Sequence, residues 1–162
     1  MKESRLDSFP AEASSALGFL ATDFSLGGPR TPEPGYVGYV SGRWAIWAVL
    51  EERNKTVDTF VNHDVGEKVL NASVWNLVRR AKLKGVGQPR SSAMTRAGMR
   101  KSLAAQARAL RLLLPLLFAD GADARGSGPA RDTAGQAVRS ARGRNTPGRA
   151  DQPQGGPQRL GM

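Results

Sequence analysis

The chain of 162 residues has no cysteine and a single histidine. Disulfides, thiolate metal sites and a cysteine nucleophile are therefore excluded. One histidine among scattered carboxylates shows none of the ligand spacings of a zinc centre, so no metal or other cofactor is expected. Long apolar runs are missing too. The longest, residues 112–119, holds Pro115 and falls far short of the about 20 residues that cross a bilayer. Residues 1–9 carry Lys2, Glu3, Arg5 and Asp7, and no apolar core of signal-peptide length follows. The expectation is a cytoplasmic protein with no membrane partner.

Acidic residues are missing from one particular stretch. Between Arg79 and Arg111 lie ten Lys/Arg and no Asp or Glu. Residues 1–70 carry seven Lys/Arg against ten Asp/Glu, and residues 119–162 carry seven arginines against four aspartates. The net charge of +10 is thus unevenly placed along the chain. Cations without local acids must be solvated, pair with acids from far away in sequence, or meet an anionic partner.

Aromatics are scarce at 6%, yet both tyrosines and two of the three tryptophans fall between residues 36 and 47. β-branched and aromatic residues suit a pleated, half-buried surface, and three runs fit: residues 36–40, 44–50 and 56–61. Gly42 allows a tight hairpin between the first two, and the charged turn 51–55 joins the last pair, with Asn54 read as its left-handed residue. An antiparallel three-stranded meander follows.

Helices flank it. Pro10 suits the first turn of a helix beginning near residues 8–10, with Phe9, Ala13, Leu17, Leu20 and Phe24 at helical spacing. Gly27-Gly28-Pro29 ends that pattern. It is no phosphate loop, for it lacks a preceding strand and the terminal Lys-Ser/Thr. A second helix is expected from about Ser73, with Val74, Leu77, Val78 and Ala81 on its inner face, Trp75 elsewhere and Gly85 beyond its end. A third, capped by Ser91 or Ser92, aligns Met99, Leu103, Ala107, Leu110, Leu114 and Leu117. Pro115 is expected to kink or end it. The fold class is α+β: one small domain over residues 1–118 with the meander at about 36–61, an N-terminal helix and two C-terminal helices. Residues 119–162, rich in Gly, Ala, Arg, Pro and Gln, cannot bury enough apolar surface to offset chain entropy and are expected to be a disordered tail.

This layout has a likeness. A helix ending in Gly18-Phe19-Leu20, a turn over residues 24–29, a Tyr/Val-rich meander and helices over 74–83 and 103–118 together resemble small uncharacterised α+β proteins of actinobacterial genomes. Some of these are similar in outline to immunity proteins, which neutralise a toxin by binding it. The resemblance covers about residues 8–118 and implies protein binding rather than catalysis. It carries over no site residues.

His63, Asp64 and Asp58 are the one set with the residue types for acid–base chemistry. Nothing in the sequence brings them within hydrogen-bond reach, and no catalytic residue is assigned. Trp44 and Trp47 fall on opposite faces of the middle strand. One belongs beneath the helices; the other meets a second layer or marks an interface. On a helical projection Arg100, Lys101, Arg108 and Arg111 share a flank away from the leucine stripe. The expected function is a non-enzymatic protein-binding module that takes an acidic partner surface through Trp44 or Trp47 and these four cations. The alternative is nonspecific nucleic-acid binding through residues 79–111 and the tail, although that stretch has no aromatic for base stacking and no helix-turn-helix or zinc signature.

Overall fold

The computed structural model describes residues 4–120. Helix α1 (Arg5–Leu17) starts earlier than the proline suggested, because Ser4 and Asp7 close a reciprocal cap. The Asp7 amide donates to Ser4 Oγ over 3.0 Å, and the Ser4 amide donates to the Asp7 carboxylate over 3.2 Å. Two of the helix's free N–H groups are satisfied this way. Pro10 sits inside α1. Gly18 separates α1 from the short α2 (Phe19–Phe24), which stops at Ser25 in a left-handed conformation.

Five strands follow in chain order: β1 (Gly27–Arg30), β2 (Tyr36–Ser41), β3 (Trp44–Glu51), β4 (Thr56–Asp64) and β5 (Val69–Ser73). They form one antiparallel sheet in the order β1-β2-β3-β4-β5. The three expected strands are its centre, so a three-stranded meander understates the sheet by both edges. The edges were hidden for different reasons. Gly27-Gly28-Pro29 reads as a chain breaker, but an edge strand tolerates proline because one side of its backbone needs no ladder partner. β5 reads as loop because it is short and mixes Asn71 and Ser73 with an exposed Leu70. In the turn between β3 and β4 the left-handed residue is Lys55, with φ 54°, rather than Asn54.

Ser73 ends β5 and caps α3 (Val74–Arg80), accepting from the Asn76 amide. The helix stops at Arg80, short of Gly85, and Lys82 takes the left-handed turn. Trp75 is buried rather than outward, its indole N–H donating to the Arg90 carbonyl. The chain then returns to β4. The Val57 amide donates to Ser91 O over 2.7 Å and the Ala93 amide to Lys55 O over 2.8 Å. Ser91 and Ser92 are therefore bridged to the sheet instead of capping a helix. Thr95 Oγ1 takes that role, accepting from the Gly98 amide at the start of α4 (Arg96–Asp120).

α4 is the central helix. Met99, Leu103, Leu110 and Leu114 are fully buried, Ala107 nearly so and Leu117 partly. The buried band is wider than that stripe and takes in Ser102, Gln106, Ala109 and Leu113, because α4 touches α1, α3 and β4 at once. Pro115 does not end it; the helix runs on to Asp120. Among the described residues, Arg96–Ala119 is the one helix long and apolar enough to cross a membrane, and half of its apolar window is buried within the fold. Residues 119 and 120 are its last turn. The rest of the expected tail lies outside the described residues.

The sheet's two faces differ. Val37, Tyr39, Ile46, Ala48, Leu50, Val57 and Val61 meet Phe9, Ala13, Leu17, Val74, Val78 and the α4 leucines in the main core. The opposite parity forms a smaller cluster of strand residues alone: Val40, Ala45 and Trp47, with Tyr36 and Val49 against them. The buried apolar residues of α1, α3 and α4 all belong to the main core, while Asn76, Arg79 and Arg80 of α3 reach round to the margin of the other face.

Candidate functional site

The two tryptophans do fall on opposite faces, as alternation requires. Trp44 lies on the helical side, half-buried, with its ring parallel to that of His63 at 3.9 Å between centroids. An edge-on string continues through Phe118 at 5.2 Å, Phe24 at 5.8 Å and Phe19 at 6.0 Å. The string closes this end of the core. Trp47 lies on the helix-free side but is covered, with 1% of its surface accessible. It lies across Gly38, its partner in the β2–β3 ladder, where any side chain would overlap the six-membered ring.

His63 stacks on Trp44, and burial together with the nearby Arg43 holds its pKa below the ordinary value. The Asp64 carboxylate accepts from the Gly66 amide. Asp58 points to the other face and accepts from the Ser91 hydroxyl. The three do not converge, and no group of three or more metal-ligating side chains occurs among the described residues.

The ten cations between Arg79 and Arg111 sort into three sets. Arg96 and Arg100 clamp the two oxygens of Glu12 on α1 at 2.7 and 2.6 Å. The hydrogen bond from Arg100, helped by Arg96, holds the Glu12 carboxyl below its usual range despite some burial. Arg111 reaches Asp23 on α2 at 2.7 Å and lies 3.9 Å over the Phe19 ring. These three fasten α4 to the N-terminal helices. Lys101 and Arg108 form the second set, exposed on the outer side of α4. The third set, Arg79, Arg80, Lys82, Lys84 and Arg90, follows α3 and its turn, and none of the five enters an ion pair among the described residues. Of the four α4 cations singled out by the helical projection, Arg100 and Arg111 are thus engaged in internal pairs, and Lys101 and Arg108 enter no ion pair among the described residues.

Beside Arg79 and Arg80 of that third set opens a cleft of about 680 Å³. Val49, Asp58 and Phe60 from the helix-free sheet face line it, with Glu51 at the end of β3, Asn71 and Ser73 from β5, and Asn76, Arg79 and Arg80 from α3. Its lining is amphoteric. Asp58 and Glu51 face it from the sheet, and burial raises the Asp58 pKa above the ordinary 3.8, with the Ser91 hydrogen bond opposing this and repulsion from Glu51 adding to it. A carboxyl whose folded pKa is raised binds its proton more tightly in the native state. Its ionisation therefore costs stability as pH climbs from 3.8 through the folded value, and the cost is complete above it. Asp58→Asn, which keeps an acceptor for Ser91, is expected to melt higher than wild type at pH 7. The two should converge below the ordinary pKa, a comparison that thermal scans across acidic pH would check.

No family model matches the chain, and no curated protein or solved structure is significantly similar to it. The cleft escaped sequence reading because its walls come from four separate elements. The one signal available was the unbroken run of cations from Arg79 to Arg90, which the sequence could not separate from the paired arginines beyond it.

Proposed function

We propose that the chain is a non-enzymatic module that binds another protein through the helix-free face of its sheet. The observation that supports this is the one-sided architecture. Five strands bury the inner residues of α1, α3 and α4 on a single face, and the other face presents the half-buried Tyr36, Val49 and Phe60 around the seated Trp47, with a charged cleft at its margin walled by α3. An apolar surface rimmed by polar groups is the usual mark of a protein interface. The resemblance to immunity-like proteins agrees with such a role, and the cysteine-free composition agrees with a reducing cytoplasm. Against nucleic acid, Glu51 and Asp58 stand on the same cleft as Arg79 and Arg80 and would repel a phosphate backbone.

The test is pairwise binding of the products encoded beside its gene, with wild type and with Val49→Arg. One neighbour is expected to bind wild type and to bind the variant at least about tenfold more weakly, as for a residue inside an interface. Binding that survives Val49→Arg but is lost in Lys101→Glu/Arg108→Glu would move the interface to α4.

A further inference from the structure

The reading above leaves open what kind of surface the sheet face recognises. We infer that the cleft between the outer side of β4–β5 and α3 is its specificity pocket, and that it takes an acidic segment of the partner, with carboxylates against Arg79 and Arg80 and an apolar side chain over Phe60 and Val49. This rests on the protein-binding reading and adds the partner's chemistry.

Charge complementarity carries the argument. Positive side chains at a helix C-terminus complement the helix dipole, and that alone would account for one or two. Here Arg79, Arg80, Lys82, Lys84 and Arg90 follow one another with no intervening acid, and no carboxylate among the described residues pairs with any of them. The fold shows that pairing was within reach of this chain, because Arg96, Arg100 and Arg111 all find acids on α1 and α2. Cations left together repel one another, and an anionic partner relieves that repulsion. Arginine also offers a planar fork that matches a carboxylate in two-point fashion. Asn76, an exposed amide, lines the cleft with the two arginines.

The wall of the cleft that comes from the sheet rather than from α3 sets polarity. Asp58 and Glu51 disfavour a ligand that is negative along its whole length. A segment with its acids at one end and an apolar residue at the other fits. A uniform polyphosphate chain does not. Like-charge juxtaposition of this kind is how interfaces reject wrong partners.

The experiment uses the full chain and a fluorescent peptide with a glutamate-aspartate cluster followed by phenylalanine, titrated in dilute salt. A single-stranded oligodeoxynucleotide of equal charge is run beside it. Wild type is expected to bind the peptide more tightly than the oligonucleotide. Arg79→Glu/Arg80→Glu should weaken peptide binding at least about tenfold, whereas Lys101→Glu/Arg108→Glu should change it less than about twofold. Thermal melts confirm that both variants fold. No peptide binding by wild type, equal losses in the two variants, or tighter oligonucleotide binding with a steep salt dependence would each overturn the inference. The broader reading fails separately. If a protein partner is lost in Val49→Arg but retained in Arg79→Glu/Arg80→Glu, the sheet face is the interface and the acidic segment is wrong.

Discussion

Gly38→Val is expected to destabilise the protein by about 3 kcal/mol, the upper part of the range for overpacking a well-filled site. Gly38 stands opposite Trp47 in the β2–β3 ladder, and a Cβ built there would overlap three ring atoms of the indole. The requirement is one of space. Gly38 is not among the residues with positive φ, so any side chain could adopt its backbone conformation. Trp47 has little room to yield, being nearly inaccessible and packed with Val40, Ala45, Tyr36 and Val49. Accommodating valine means expelling the indole from its seat or bending β2 away from β3. Gly42, in the hairpin between the same strands, is the reverse case: nothing lies within 4 Å of its added Cβ, and it is the positive φ of 54° that favours glycine there. Urea denaturation of Gly38→Val, read as a lower midpoint at unchanged slope, checks the expectation. A midpoint equal to wild type would mean that Trp47 does not lie on Gly38, and the helix-free face would lose its apolar centre.

Gln106→Ala should cost a similar amount, about 3 kcal/mol, by a different route. Gln106 is fully buried in the middle of α4. Its amide donates to Val57 O on β4 and to Arg90 O on the returning segment, each over 2.9 Å. One side chain thereby ties helix, sheet and loop together. Ser102 adds a second tie, its hydroxyl donating to Ser92 O over 2.8 Å. Truncation leaves the Val57 carbonyl short of a partner and opens a cavity at a fully buried site, and each effect costs on the order of 1–3 kcal/mol. Arg90 O keeps the Trp75 indole as donor, which limits the loss. Amide hydrogen exchange gives the local readout. The Val57 and Ala93 amides, bonded to Ser91 O and Lys55 O, should exchange faster in the variant beyond what its global stability explains. Unchanged stability with unchanged exchange would show that the returning segment is held without Gln106. This tie also serves the cleft, because Ser91, which donates to Asp58, belongs to the segment that Gln106 secures.

Much of the architecture could be read from the residues. The alternation of Trp44, Ile46, Ala48 and Leu50 against Ala45, Trp47 and Val49 is a local signal, and it placed the central strand and both its faces correctly. The α1 and α4 stripes were equally legible, since a leucine every three or four residues has one interpretation in a chain with a single core. What failed was whatever depended on a distant partner. Pro10 masked the true start of α1, which is fixed by the exchange between Ser4 and Asp7. β1 and β5 have weak strand composition and exist because β2 and β4 offer them an edge. Trp75 falls off the inner stripe of α3 by its helical position, and the segment that covers it returns only at Arg90.

The functional surface shows the same division. That ten cations lack local acids was plain in the sequence. Which of them find acids elsewhere depends on α4 lying along α1, and no spacing rule contains that. Arg100 and Arg111 look like Lys101 and Arg108 on a helical wheel. In the fold they are 88 residues from Glu12 and Asp23 and bonded to them. The cleft is less legible still. Asp58 was noticed for its nearness to His63, yet the two point to opposite faces of β4, and the neighbour that matters to it is Ser91.

Paired arginine truncations, each read by both acidic-peptide affinity and melting temperature, put the division of labour among the cations to the test. Arg79→Ala/Arg80→Ala should lose the peptide and melt lower only by the small helix-dipole contribution at the end of α3; Arg100→Ala/Arg111→Ala should keep the peptide and melt lower still, having given up the pairs with Glu12 and Asp23. If the α4 pair governs peptide affinity, or the α3 pair governs melting, the assignment of recognition to the sheet face and its cleft is contradicted.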